Sequence, residues 1–389
     1  LNPTFDTLGV CAELVEALRA GDIIEPFSIQ CLAIPDALAG RDVCGKAKTG
    51  SGKTLAFGLP LLQRISAGTS RSPRGLILVP TRELAGQVAD VLNPLATAIG
   101  KRLVVCYGGT GMDAQMTALK AGVELVVATP GRLIDLQQRG AIDLGGIEVL
   151  VVDEADRMSD MGFLPQVEWL LRQVPTRRQT MLFSATLDGD VDYLVRHYLT
   201  DPISHEAVSS GTTVAAMEHR FLLVHELDKV KVAAAIAKAA TRTLIFTRTK
   251  RGADQLTREL RKEGVAVDAI HGDLRQQLRE RALKGFAGGR RPVLVATDVA
   301  ARGIHVDAID VVIHFDPPDD PKAYLHRSGR TARAGEDGVA VTLVLWNQQL
   351  EVERIQRRLG IRQPVVEVFS NDPRLTDLRS WDPAEASVA

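Results

Sequence analysis

Ala47-Lys48-Thr49-Gly50-Ser51-Gly52-Lys53-Thr54 is the stretch from which the fold of this chain can be read. Gly50 and Gly52 let the backbone turn tightly, so that successive N–H groups can point at phosphate oxygens. Lys53 adds a point charge for the β- and γ-phosphates, and Thr54 adds a hydroxyl for Mg²⁺. A helix beginning here contributes the positive end of its dipole. The pattern G-x-x-x-x-G-K-[ST] is met except at its first position, where Ala47 replaces glycine. Ala47–Thr54 therefore reads as a phosphate-binding loop, which joins a strand to a helix in an α/β domain.

Outward from that loop the chain alternates. Short apolar runs at Leu76–Val79, Leu103–Cys106, Leu125–Val127, Val149–Val152 and Met181–Phe183 read as strands. Most are continuous, as expected for strands covered on both faces. Helical patterns such as Leu84–Ile99 and Leu164–Val174 lie between them. The rhythm breaks from about Thr200 to Ala216, where Ser209-Ser210-Gly211-Thr212-Thr213 reads as linker. A second series follows, with strands expected at Phe221–Val224, Leu244–Phe246, Val267–Ile270, Val293–Ala296, Val311–Phe315 and Val339–Leu345. Helices are expected at Ala253–Glu263 and Gln277–Phe286. The expectation is two α/β, doubly wound parallel-sheet domains, 1–205 and 217–370. A linker at 206–216 joins them, and a flexible tail covers 371–389. Polar residues follow the strands directly: Thr81-Arg82, Gly108-Gly109, Thr129-Pro130 and Ser184 in the first half, Thr247-Arg248, His271-Gly272-Asp273 and Thr297-Asp298 in the second. Ligands of open α/β sheets bind at that carboxyl edge.

Composition narrows the class. With 45% hydrophobic and 24% charged residues, the 389-residue chain reads as soluble and globular. A net charge of −1 means that a nucleic-acid surface must be local. Cys11, Cys31, Cys44 and Cys106 form no C-x-x-C pair, which points to a reducing compartment and away from a disulfide frame or zinc site. No apolar run approaches the roughly 18 residues of a membrane span. Leu1-Asn2-Pro3 has no signal-peptide pattern and no initiating Met, as expected of a fragment.

Asp153-Glu154-Ala155-Asp156 follows the run Val149–Val152. A carboxylate at the end of a buried strand, in a chain with a phosphate loop, is the usual partner of Mg²⁺. Asp153 is the expected metal-side carboxylate, and Glu154 the residue that orients and deprotonates the attacking water. These four residues spell the signature of the DEAD-box RNA helicases of helicase superfamily 2, and the other family motifs follow in order. Pro80–Ala85, Gly108-Gly109 with Gln115, Thr129–Arg132 and Ser184-Ala185-Thr186 match in the first half. Leu244–Phe246 with Thr249, His271-Gly272-Asp273 with Gln276 and Arg279, Ala296–Gly303 and His326–Arg333 match in the second. The chain thus resembles this family, in its bacterial form, from about residue 5 to 345.

The resemblance implies two tandem RecA-like domains, ATP and Mg²⁺ as cofactors, RNA as partner and a cytoplasmic location. Gln30 resembles the residue that reads the adenine edge, with Phe5 bracing it and Gly303 also at the nucleotide. Arg330 and Arg333 are implied to be arginine fingers completing catalysis with Lys53 and Glu154. Asp156, Ser184, Thr186 and His326 are implied to couple hydrolysis to unwinding. RNA contacts are implied at Thr81, Arg82, Gly109, Thr129 and Arg132, and at Arg248, Gly272, Thr297 and Arg302. With few aromatics among them, binding should be largely independent of sequence. Three departures stand out: Ile23 where the family often has a ring over adenine, Phe27-Ser28 for a Thr-Pro-like pair, and His305 where it has a carboxylate near the ribose. Weaker nucleotide affinity with retained selectivity is expected. The implied function is an ATP-dependent RNA helicase; the alternatives are an ATP-gated RNA clamp with little unwinding and a DNA-acting motor of the same superfamily.

Overall fold

The computed structural model describes residues 3–47, 50–187, 189–207, 217–301, 309–331 and 338–383. The chain divides into two compact units, Leu1–Ser209 and Ser210–Ala389. Of the expected linker, residues 208–216 lie outside the described residues.

The first unit holds seven strands: β1 Val43–Lys46, β2 Gly75–Leu78, β3 Leu103–Cys106, β4 Leu125–Ala128, β5 Val149–Asp153, β6 Gln179–Ser184 and β7 Ile203–Glu206. They form one sheet in the order β3-β4-β2-β5-β6-β1-β7, and every neighbouring pair is parallel. The continuous apolar runs serve two cores. On β5, Val149 and Val151 point into one cluster, which includes Phe57 and Leu92. Leu150 and Val152 point into the other, with Leu133 and Leu170. Successive side chains alternate across a strand, so helices must cover both faces.

Two strands of the first unit were not anticipated, nor was the short strand Val365–Glu367 of the second. Gly45 weakens the strand signal of β1, because glycine has no side chain to pack on a pleated surface. Its absence of Cβ is used: a Cβ there would fall 2.3 Å from Cε1 of Phe183 on β6. β7 lies in the stretch read as linker from Thr200. It is an edge strand that alternates between half-buried and exposed residues, and its residue Ile203 pairs with Val43. Pairing with β1 supplies the order that its polar composition concealed.

The second unit contains β8 Glu218–Leu223, β9 Thr243–Thr247, β10 Val267–Ile270, β11 Val293–Thr297, β12 Val311–His314, β13 Val339–Val344 and β14 Val365–Glu367. Their order is β10-β11-β9-β12-β13-β8-β14, again parallel throughout. Counted from its own first strand, this is the winding of the first unit.

The described part of the expected flexible tail, through residue 383, is packed instead. Leu375 and Leu378 are buried in the core of the second unit. Arg220 Nε donates to the Leu378 carbonyl at 2.9 Å. Trp381 lies between two guanidinium groups, with its ring centroid 5.3 Å from Arg220 Cζ and 5.2 Å from Arg374 Cζ. Two leucines and one indole anchor a segment whose Pro, Asp and Ser content looked disordered. The same buried side chains carry the second unit past residue 370.

Candidate nucleotide and RNA sites

The parallel strands deliver their carboxyl ends to one edge of each sheet. In the first unit, Asp153 pairs in register with Phe183, and Phe183 with Gly45. Two inter-strand spacings therefore separate the start of the phosphate loop from the acidic motif, about 10 Å. Ser184 ends the strand between them. Its Oγ accepts from the Asp156 N–H at 3.2 Å, and its carbonyl accepts from the Ala47 N–H at 3.0 Å. The loop, the acidic motif and Ser184-Ala185-Thr186 thus share direct hydrogen bonds.

The loop explains its own spelling. Gly50 has φ +87° and Gly52 φ +83°, in the left-handed region that favours glycine. Ala47 is not among the residues with positive φ, so its methyl costs no backbone strain and is simply buried. A helix, Lys53–Arg64, begins at the loop's end. Lys53 is buried, and its Nζ donates to the Ala47 carbonyl at 2.9 Å. Lys48 and Thr49 lie outside the described residues. Ser51 and Thr54 are half-buried beside the loop.

Gln30 is 2% exposed and ties its own segment to the loop. Its Oε1 accepts from the Phe27 N–H at 2.8 Å, and its Nε2 donates to the Gly52 carbonyl at 2.9 Å. A Cβ on Gly52 would lie 2.4 Å from that Nε2 and 2.5 Å from Phe27 Cδ2. Phe5 is buried in the core beneath this segment. Ile23 is half-buried against the same core, whereas Ile24, Phe27 and Leu32 are exposed.

At the acidic motif, Asp153 is buried and its Oδ1 accepts from the Glu154 N–H at 2.9 Å. Burial pushes its carboxyl up to about 7; Lys53 pulls it down, while Glu154 and Asp156 push it up further. Three carboxylates and the Lys53 ammonium thus meet at this buried strand end. Glu154 has φ +52°, an uncommon conformation for a non-glycine residue and a source of local strain. Its carboxylate is paired with Arg157, both side chains being buried. Arg157 Nη2 is buried with no hydrogen-bond partner among the described residues. Arg157 was not singled out from sequence, although a Glu and an Arg three apart on a helix are neighbours by spacing alone.

The expected RNA residues of the first unit surround the next strand ends. Thr81 caps the helix Arg82–Ala98, its Oγ1 accepting from Leu84 N–H at 3.2 Å. Arg82 covers Gly109, which has φ +83° and whose added Cβ would lie 2.1 Å from Arg82 Nη1. Arg132 donates to Gln115 Oε1 at 2.9 Å and to the Thr110 carbonyl at 3.3 Å. Gln115 in turn donates to Thr110 Oγ1 at 2.8 Å, which fixes the Gly108-Gly109 turn. Thr129 stands half-buried before the helix Pro130–Gln138. Thr186 is half-buried beyond β6.

In the second unit, Arg248 pairs with Asp319 at 2.8 Å on the surface, and its backbone N–H donates to Asp316 Oδ2. Gly272 is exposed and Thr297 is buried at the end of β11. The helix Pro321–Ser328 carries His326, which is half-buried, and Arg330 follows it in a turn, with Nε donating to the His326 carbonyl at 3.3 Å. Arg302, Gly303, His305 and Arg333 lie outside the described residues. Arg327, also missed from sequence, makes two bonds to the Asp298 carboxylate at 2.6 and 2.7 Å and a third to the Asp316 carbonyl at 2.7 Å. Beneath it His314 is fully buried; burial, then Arg327 and His219, hold it well below its usual range, so it is neutral. Tyr324 packs edge-on to His314 and bonds His219 Nδ1 at 2.8 Å. The helix bearing His326 is therefore fastened to its sheet by a buried polar cluster.

Comparison with known proteins agrees with this arrangement. Residues 27–194 match the DEAD/DEAH box helicase family and 225–335 the helicase conserved C-terminal domain. The chain is 38% identical to the mitochondrial DEAD-box ATP-dependent RNA helicase 9 of Arabidopsis thaliana, over 91% of this chain and 59% of that protein. It is also 38% identical to the DEAD-box ATP-dependent RNA helicase CshA of Geobacillus kaustophilus, over 91% of this chain and 76% of the other. Against two chloroplastic maize relatives it spans about half of their length, 49%. The structure of S. cerevisiae Dbp5 bound to RNA and ADP BeF3 superposes with TM-score 0.81 at 31% identity, covering 95% of this chain and 96% of that one. By the matches in both halves and the shared fold, the chain belongs to the DEAD-box ATP-dependent RNA helicase family.

Proposed function

We propose that this chain is an ATP-dependent RNA helicase, in which RNA-stimulated ATP hydrolysis drives local duplex unwinding or ribonucleoprotein remodelling. The observation that supports it most is the meeting of Lys53, Asp153, Glu154 and Ser184 at one sheet edge, joined by the hydrogen bonds of Ala47 and Asp156. The loop N–H groups receive the β- and γ-phosphates, and Lys53 exchanges the Ala47 carbonyl for a phosphate oxygen. Mg²⁺, when bound, neutralises phosphate charge; Thr54 and Asp153 are the residues that would hold it. Glu154 takes a proton from the attacking water, for which its carboxylate must turn from Arg157. Arg330 and Arg333 supply the cationic finger, a contribution of about 10³–10⁵ in rate in related phosphoryl transfer. Gln30 retains one amide hydrogen and one lone pair beyond its two backbone bonds, enough for the adenine edge.

RNA phosphates are taken by Thr81, Arg82, Gly109, Thr129 and Arg132, and by Arg248, Gly272, Thr297 and Arg302. Arg248 gives up Asp319 to do so. Asp156, Ser184, Thr186 and His326 couple the two activities. The clamp alternative draws no support from Ile23, which packs against the core. Among the described residues no helix is long and apolar enough to cross a membrane. All four cysteines are free, which supports the cytoplasmic reading.

The test is steady-state ATP hydrolysis with single-stranded RNA, with single-stranded DNA and with neither, followed by strand displacement. Stimulation by RNA alone and loss of duplex are expected. Equal stimulation by DNA would favour the DNA-acting motor, and ATP-dependent RNA binding without displacement the clamp. Glu154→Gln that still hydrolysed ATP at the parent rate would refute the base assignment.

A further inference from the structure

The edge of the first sheet opposite the nucleotide loop carries a basic cavity. It has a volume of about 540 Å³ and is lined by Arg64, Arg74, Arg177 and Arg178, with Glu148 the one acidic side chain in its wall. The cavity follows from the ladder. Arg74, Glu148 and Arg178 each precede a strand, and the pairs Gly75–Val149 and Val149–Gln179 set them side by side at the amino ends of β2, β5 and β6. The Arg74 carbonyl accepts from the Glu148 N–H at 2.7 Å, and the Glu148 carbonyl from the Gln179 N–H at 3.0 Å. Three consecutive positions of one row are therefore charged, two of them cationic.

Three of the guanidinium groups are held by hydrogen bonds. Arg64 donates to Gln179 Oε1 at 2.9 Å and to the Leu38 carbonyl at 2.7 Å. It fills the space over Gly40, where an added Cβ would lie 2.6 Å from Arg64 Nη2. Arg74 donates to the Gly146 carbonyl at 3.3 Å, and a Cβ on Gly146 would lie 3.1 Å from its Nη1. Arg178 donates to the Pro175 carbonyl at 2.6 Å, but its Nε is buried with no partner among the described residues. Arg177 is exposed and in no ion pair among the described residues. The nearby acids are already engaged. Glu148 accepts from Ser66 N–H at 2.8 Å and stands 4.0 Å from Arg74. Asp42 accepts from the Thr180 and Thr200 N–H groups, each at 2.7 Å. Burial lowers the Arg178 pKa, while the nearby Asp42 and Tyr198 raise it.

We propose that this cavity is a binding site for a small diphosphate anion, separate from the nucleotide loop. Planar guanidinium forks match phosphate oxygens two at a time, and several converging on one concave space suit a multiply charged phosphate group. The volume is that of a small-molecule site. Free pyrophosphate and the diphosphate of a nucleotide share this chemistry.

The test is calorimetric titration of pyrophosphate, and separately of uridine diphosphate, into the full chain saturated with Mg-ADP so that the phosphate loop is filled. One further equivalent of pyrophosphate should bind. Its Kd should weaken at least tenfold in Arg177→Glu and in Arg74→Gln, while RNA-stimulated ATP hydrolysis and the melting temperature of Arg177→Glu stay at the parent values. Pyrophosphate alone binding identifies the free anion; uridine diphosphate binding equally well identifies the nucleotide-borne group. No binding to the ADP-loaded chain, affinity unchanged in both variants, or equal affinity for sulfate would overturn the proposal. So would displacement of bound pyrophosphate by single-stranded RNA, which would make the cavity part of an RNA surface.

Discussion

Arg157→Met tests the buried ion pair at the heart of the acidic motif. Both side chains are almost inaccessible, 8% for Arg157 and 4% for Glu154. Removing one partner of a buried pair costs about 3–5 kcal/mol, because the other charge is stranded. Here the stranded charge is the Glu154 carboxylate, next to Asp153 and Asp156. Against this, Arg157 Nη2 already lacks a partner among the described residues, and relieving a buried unsatisfied donor returns about 1–3 kcal/mol. The net expectation is a loss of about 2 kcal/mol in the first unit. In Glu154→Gln/Arg157→Met no charge is stranded, so the loss should shrink, giving a coupling of about 2 kcal/mol. Trp169 packs on the first unit's core, whereas Trp346 and Trp381 belong to the second. In a Trp346→Phe/Trp381→Phe background, guanidinium unfolding followed by Trp169 fluorescence therefore reports the first unit alone. Arg157→Met within 0.5 kcal/mol of its parent, or additivity of the two substitutions to about 0.5 kcal/mol, would refute the reasoning.

Three further outcomes are expected. Asp153 has a folded pKa raised to about 7 from the ordinary aspartate value of 3.8, so between those values the native state holds a proton that the unfolded chain releases. Its contribution to stability is full below about 4 and declines as pH rises to about 7; Asp153→Asn should flatten that slope in metal-free unfolding measured from pH 4 to 8. Gly45→Ala places a methyl 2.3 Å from Phe183 and should cost about 1–3 kcal/mol by thermal unfolding, with Phe183→Leu restoring part of it. Leu375→Ala and Leu378→Ala should each lower the stability of the second unit by about 2–4 kcal/mol; an unchanged melt would mean that this segment is not anchored.

The parts of the fold written in side-chain pattern were legible. Val149–Val152 is a four-residue apolar run because both faces of β5 are covered, and the phosphate loop announces itself because Gly50 and Gly52 have conformations that few other residues adopt. What escaped was order imposed from a distance. β1 contains a glycine because of a ring on β6, and β7 is held by its neighbour despite a polar sequence. The segment through Trp381 looks disordered until Arg220 and the core at Leu375 are in place. At the site, positions followed from motif spelling, but partners did not. That Gln30 spends two bonds on Phe27 and Gly52, or that Arg327 fastens Asp298, depends on pairs 22 and 29 residues apart.

The two sheets wind in one order, yet their corresponding edges have diverged in chemistry. Where β5 ends on Asp153, a buried carboxyl pushed up by its surroundings, its counterpart β12 ends on His314, a buried imidazole held neutral by burial and the nearby Arg327. The loop after β1 is glycine-rich; the one after β8, Val224-His225-Glu226-Leu227-Asp228, contains no glycine and so cannot make the same cradle. A frame held by interior aliphatic side chains is indifferent to what its strand ends carry. One unit carries a buried cluster of carboxylates at this strand end and the other a buried imidazole beside a guanidinium, on a common winding that is the same in both.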